Sequence, residues 1–250
     1  MAAKKSRPVR EKLGPAIPYG KGARRWTAKL TDLFPPNEAL SATMVAVCVR
    51  CDEIRMCHGR ISEIEQMEEA GETQTDSLWD PMLERMMLMR FSVVAAFDLA
   101  DHAVALNKSK RFRDALAKNE QQRDLFASGY ANLVKTIDSW RPFRNELFAH
   151  IDTKIGKPLP TTIERQGGGD AKGDVAVGKL RGDFAFPAAH FLLMMSMSTT
   201  PDWDEGFIEA LKLLDRANAA ALEILWPSLG AFETLTGSFL GKDVALIGWK

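Results

Sequence analysis

Cysteine is scarce in this chain and net charge is absent. The 250 residues carry three cysteines, and 33 basic side chains balance 33 acidic ones. An odd, closely spaced set of thiols builds no disulfide framework, so a reducing, cytoplasmic setting is expected. Zero formal charge argues against bulk attraction to nucleic acid or to a membrane surface. No uninterrupted apolar run is long enough to cross a bilayer, and the first residues lack the apolar core of a signal peptide. Walker motif, dinucleotide fingerprint and nucleophile elbow are all missing. The triplet Gly167-Gly168-Gly169 is followed by no Gly-Lys-Ser/Thr ending, so it is not a phosphate-binding loop.

What the chain does have is core material, a hydrophobic fraction of 46%, laid out with a helical rhythm. Before the helices comes a basic arm. Residues 1–29 hold nine lysines and arginines, among them Lys21, Arg24 and Arg25, against Glu11 alone. Such an arm grips phosphate or simply solubilises. The prolines and glycines of residues 1–36 argue against regular elements, so the arm is expected to be irregular and flexible.

From Leu40 to Ile61, apolar positions recur at spacings of four and three, which predicts a helix over about 37–70 with Asn37 as its N-cap. A second helix is expected over about 80–106, with Pro81 in its first turn and methionines as adaptable core filler. Lys108–Lys118 reads as a short helix. Asn119, with Gln122 three residues on, resembles a capping box that opens a third long helix. Pro142 is expected to kink or break that helix, with a fresh start near Pro142. Short strands at 161–163 and 174–177 are expected to flank the glycine triplet as a hairpin inside an excursion over 153–183. A helix over about 187–197 follows, then one over about 203–226 that Trp226-Pro227 ends. The expected fold is all-α: an up-and-down bundle of four or more long helices, a single domain over 37–250, with one irregular or hairpin insertion.

Chemistry concentrates in Trp140-Arg141-Pro142-Phe143-Arg144-Asn145-Glu146-Leu147-Phe148-Ala149-His150-Ile151-Asp152. Leu133, Ile137, Trp140, Arg144, Leu147 and Ile151 share one helical stripe. An ionised guanidinium in an apolar seam is costly unless it is paired or the seam opens onto a polar site. Arg144 and His150 are six residues apart, about 9 Å of rise on a straight helix and some 120° round it, so a cleft shared between them needs a kink or a second chain. A histidine near neutrality moves protons. An arginine holds a phosphate bidentately and stabilises charge that builds on it. Asn145 can orient either one. Arg141, Glu146 and Asp152 are supporting candidates. The plainer reading pairs Arg144 with a carboxylate and leaves His150 at a helix C-terminus, where the macrodipole favours it.

Cys48, Cys51, Cys57 and His58 form a second cluster. On one helix Cys48 and Cys51 share a face, but Arg55 occupies the next turn of it and Cys57 points elsewhere, so buried small hydrophobes are expected rather than zinc. His58 is expected to be a core histidine with a hydrogen-bonded partner. No metal or other cofactor is expected.

The run Arg144-Asn145-Glu146-Leu147-Phe148-Ala149-His150 resembles the signature of the HEPN superfamily: an arginine, a polar residue, then a short variable run to a histidine. The Ala149-His150-x-Asp152 ending is similar to HEPN proteins of the abortive-infection, AbiU-like type. The resemblance spans some nine residues late in a long helix. It implies a dimeric, metal-independent endoribonuclease in which Arg144, Asn145 and His150 act on RNA. It also implies a toxin or phage-defence role, with an antitoxin or defence protein as a further partner. The alternative is a non-catalytic helical module for dimerisation or partner binding.

Overall fold

The structure is a computed structural model of the chain. It describes residues 17–19, 23–25, 29–72, 81–143, 161, 164, 176–177, 184–185 and 203–237. Two short strands, β1 (Ile17–Tyr19) and β2 (Ala23–Arg25), pair antiparallel, with Pro18 opposite Arg24 and Ile17 opposite Arg25. They correct the expectation of a wholly irregular arm. The short apolar run and the glycine-containing connection were a hairpin signal. Helices follow: α1 (Leu30–Leu33), α2 (Ser41–Glu69), α3 (Pro81–Lys108), α4 (Lys110–Leu116), α5 (Glu120–Phe143) and α6 (Trp203–Thr236). The described residues are thus predominantly helical.

Local chemistry sets the helix ends. Helix α2 begins at Ser41 rather than just after Asn37, because residues 35–40 close a turn of their own. The Ser41 hydroxyl donates to the Pro35 carbonyl at 2.7 Å, and Ser41 N–H donates to Glu38 O at 3.0 Å. The helix stops at Gly71, whose φ of 71° suits a residue without a Cβ. Gly71 N–H donates to Glu68 O and Glu72 N–H to Met67 O, the two bonds of a Schellman turn. Pro81 opens α3, where its missing donor is harmless. Ser109 caps α4, accepting from Phe112 N–H. The Asn119 side chain accepts from Gln122 N–H at 3.1 Å and so caps α5.

Pro142 does not break α5 before its end, and Pro227 departs from the expectation. Helix α5 stays helical through Pro142 to Phe143. Trp140, two residues before Pro142, is 2% exposed and anchors the preceding turn in the core. Helix α6 continues past Pro227 to Thr236. Proline deprives the preceding turn of a donor. The Ser228 hydroxyl donates to Ile224 O at 2.7 Å, beside the bond the proline cannot make. Leu229, Ala231 and Phe232 beyond it are buried, and that burial outweighs the lost bond. Gly237, with φ 68° and its N–H on Glu233 O, ends the helix instead.

The expected pairing of 161–163 with 174–177 is not what is described. Thr161 and Glu164 are helical. Strand β3 (Ala176–Val177) pairs antiparallel with β4 (Phe184–Ala185). The expected helix over 187–197 lies outside the described residues.

The chain divides into two compact units, each drawing on all four long helices. The first comprises Met1–Arg50, Leu99–Ala131 and Ala220–Lys250. Its core holds Met44, Val47, Leu99, Leu106, Phe112, Phe126, Ile224 and Phe232. Phe112 meets Phe126 edge-on at 5.7 Å, and Phe34 meets Phe232 at 6.4 Å. Arg111 donates to both carboxylate oxygens of Glu38 at 3.2 and 3.1 Å. Helices α5 and α6 run antiparallel here, Gly129 lying against Ala220 and Glu223, and Gln122 against Gly230.

The second unit comprises Cys51–Asp98 and Asn132–Ala219. Its core holds Cys51, Ile54, Ile61, Met86, Met89, Val93, Leu133, Ile137, Trp140 and Leu214. These are the stripes the four-three spacing predicts. Two arginine–glutamate pairs tie α2 to α3. Arg60 reaches Glu84 through two bonds at 2.7 and 3.2 Å, and Arg85 contacts Glu68 at 3.0 Å. Partners ascend α2 while they descend α3 from Cys57–Ser92 to Arg60–Glu84, so the two helices are antiparallel.

Gly129 gives a direct test of the packing. A Cβ there would lie 2.5 Å from Glu223 Cβ and 3.0 Å from its carbonyl carbon. Gly129→Ala is expected to destabilise the protein by about 1–3 kcal/mol despite alanine's better helix propensity, read by chemical denaturation.

Candidate functional site

Helix α5 carries the chain to the sequence-predicted site. Its buried face is Phe126, Leu133, Thr136, Ile137 and Trp140. Fully burying each large apolar side chain contributes roughly 1.5–3 kcal/mol, so the helix is held firmly up to its last described turn. Arg141 lies in that turn by its backbone, one residue past Trp140. Arg144, Asn145, Glu146, His150 and Asp152 lie outside the described residues, as does Lys21. Arg24 and Arg25 belong to β2 by their backbone. The structure therefore places the helix that leads to the motif and leaves the motif's own geometry undescribed.

Among the described residues, one histidine has a built partner. His58 Nε2 sits 2.8 Å from Asp215 Oδ1 and joins α2 to α6 within the second unit. The sequence reading of a hydrogen-bonded histidine holds, but the residue is not in the core: its side chain is 30% exposed and that of Asp215 is 67% exposed. A carboxylate in this position fixes the imidazole's orientation. Solvent screens so exposed a pair, which is worth at most about 1 kcal/mol. Asp215 was not foreseen. It lies 157 residues from His58 and follows buried Leu214 on the stripe, and no local pattern joins the two. Asp98 and His102, four residues apart on α3, are both half-buried.

The cysteines behave as side chains of the core. Cys51 and Cys57 are buried and Cys48 is half-buried, and none of the three is joined in a disulfide. Burial pushes the Cys57 thiol above its ordinary range, only partly offset by a hydrogen bond with Ser92, and the negative charge of Glu53 pushes the same way. A raised pKa marks an inert thiol, not a nucleophile. No group of three or more potential metal ligands occurs among the described residues. Arg90 is partly withdrawn from water, and that desolvation alone draws its pKa below the usual arginine value. No helix among the described residues is long and apolar enough to cross a membrane.

Comparison with models of protein families, with curated proteins and with solved structures finds no match.

The thiols provide the test of this part of the structure. In the native protein Cys48 is expected to react with a thiol reagent well before Cys51 and Cys57, which react at the rate of unfolding. The raised Cys57 pKa means that the folded state keeps a proton the unfolded chain gives up. Its contribution to stability is therefore present below the ordinary thiol pKa and falls as pH rises through it. Cys57→Ser would flatten that alkaline decline in a pH series of denaturation midpoints.

Proposed function

We propose that the chain is a HEPN-like, metal-independent endoribonuclease of the cytoplasm, acting in toxin or phage-defence biology. The observation that carries the reading is the Arg144-Asn145-x4-His150 motif, which follows directly on α5, a helix buried along Leu133, Ile137 and Trp140. The predominance of long helices among the described residues supports it too. His150 takes the proton of a ribose 2′-hydroxyl, whose oxygen attacks the adjacent phosphorus. Arg144 holds the non-bridging oxygens as negative charge accumulates on them. The 5′-oxygen leaves as it takes a proton from the imidazolium of His150 or from water, and the product end is a 2′,3′-cyclic phosphate. Asn145 orients the phosphate or the imidazole, with Arg141, Glu146 and Asp152 in support. Lys21, Arg24 and Arg25 add affinity for the RNA backbone. A second copy of the chain completes the cleft, and an antitoxin or defence protein is a natural further partner.

A second reading takes the chain as a non-catalytic interaction module. It is favoured by Met56 and Phe91, which stand 65% and 61% exposed on α2 and α3.

The two separate in one assay. Purified protein is expected to cleave RNA in EDTA, and Arg144→Ala and His150→Ala each to lower the rate by at least about 10²-fold, the scale of losing a positioned acid–base or an oxyanion donor. Far-ultraviolet circular dichroism should not change. Cleavage that survives both substitutions removes the proposed mechanism. A fall in melting temperature on Arg144→Ala, with no cleavage by the wild type, supports the interaction module.

A further inference from the structure

The corner where α3 gives way to α4 carries positive charge that the described residues do not balance. Residues 107–118 hold Lys108, Lys110, Arg111, Arg113 and Lys118 against Asp114 alone, and all of these charged residues are exposed. On the other helices Arg60, Arg85 and Arg123 each meet a carboxylate. At this corner Arg111 alone does so among the described residues, on Glu38. Lys108, Lys110, Arg113 and Lys118 form no ion pair there among the described residues.

Arg113 is held in place by carbonyls instead of an acid. Its Nη1 donates to Asn107 O and Lys108 O, at the end of α3, at 2.6 and 3.0 Å. Nε and Nη2 make no bond among the described residues, which leaves an edge of the guanidinium for another anion. Those carbonyl bonds set the guanidinium beside Lys108. Lys110 stands three residues before Arg113, a neighbour on the helix surface. Three cations therefore crowd one corner. The carbonyl end of α3 supplies the equivalent of about half a negative charge, too little to offset them. Lys110 also opens α4, the end of a helix least favourable to a cation. An anion from outside the chain would relieve this repulsion.

The kind of anion follows from what the corner lacks. The apolar residues Phe112, Ala115 and Leu116 of α4 are buried, and no large hydrophobic residue stands exposed between residues 95 and 124. A lipid surface would need an apolar anchor besides the charges, and a protein partner an apolar centre to its interface. A phosphodiester backbone needs neither. With no exposed aromatic ring on which a base could stack, contact falls to the phosphates.

We infer that Lys108, Lys110 and Arg113 form a site for the RNA backbone, additional to the basic arm, that grips phosphates without regard to base sequence. Arg113 is its fixed fork and the two lysines are flanking point charges. The polymer is taken as RNA from the ribonuclease reading, but the site is tested apart from cleavage.

Fluorescence anisotropy of a 2′-O-methyl oligouridine, which carries the phosphates and cannot be cleaved through its 2′-oxygen, tests it on the full-length protein over a salt series. Lys108→Gln/Lys110→Gln is expected to weaken binding about tenfold at low salt. The slope of log affinity against log salt should fall by about 1.4, the share of two phosphate contacts on a single strand. A 2′-O-methyl oligoadenosine should give the same result. Lys135→Gln/Lys212→Gln removes the same charge from exposed positions of α5 and α6 and should change neither quantity. Equal losses from the two pairs overturn the inference, as does a Lys108→Gln/Lys110→Gln variant that binds like the wild type. So does a corner that holds phosphatidylserine vesicles in place of the oligonucleotide. Binding that depends on the corner, with no cleavage of unmodified RNA, would remove the nuclease mechanism and keep the site.

Discussion

The absence of a methyl group at Gly129 sets how closely α5 can lie on α6. With only 2.5 Å between its would-be Cβ and that of Glu223, the backbones approach as closely as a residue without a side chain permits. Seven residues earlier, Gln122 lies against Gly230 in the same way, so the antiparallel register is fixed at two points two turns apart. Other features of the unit follow from that contact. Phe126, between the two points on α5, is driven inward to meet Phe112 edge-on. The turns on either side of Pro227 stay pressed against α5, which is why a proline that would end an isolated helix is carried through here.

The charged contacts do a different job. Arg60–Glu84, Arg85–Glu68 and Arg111–Glu38 each use the planar fork of an arginine against a carboxylate. At least one partner of each stands a third or more in water, which keeps the net gain of each to about 1 kcal/mol or less, small beside the apolar burial around them. What they add is register. A two-bond guanidinium contact is satisfied at one relative height of the helices, and two such contacts between α2 and α3 exclude a slide of one turn.

Much of the helical layout was legible because it is written locally. Proline at the first position of α3, asparagine at the cap of α5 and glycine after α2 each act within a turn, and the four-three rhythm of Met44, Val47, Cys51, Ile54 and Ile61 reports which face is buried. What escaped depends on distant partners. Pro227 reads as a stop unless the burial of Phe232 beyond it is known. Val177 reads as a strand, but nothing nearby says that its neighbour is Phe184 and not Ile163. Asn37 is a good cap by type, yet the Ser41–Pro35 bond moves the helix start four residues on. The link between His58 and Asp215 spans more than half the chain. As for the candidate site, sequence supplied the residue types and the helix leading to them, and the described structure reaches Phe143.

That helix gives the motif its physical interest. Leu133, Ile137 and Trp140 are 0%, 7% and 2% exposed, a stripe that the spacing continues to Arg144. Evenly spaced apolar positions followed by a guanidinium are poor design for stability alone, since leucine at 144 would extend the seam at no desolvation cost. Pairing with a carboxylate recovers part of the loss, and replacing such a pair by packed apolar residues is often neutral or better. On the proposed ribonuclease reading, an arginine at 144 meets an anion that comes and goes. The asparagine beside it and the histidine two turns on then supply an orienting amide and a proton-transfer group, which a structural ion pair would not require. It is this combination of residue types, and not the arginine by itself, on which the proposed phosphate-handling cleft rests.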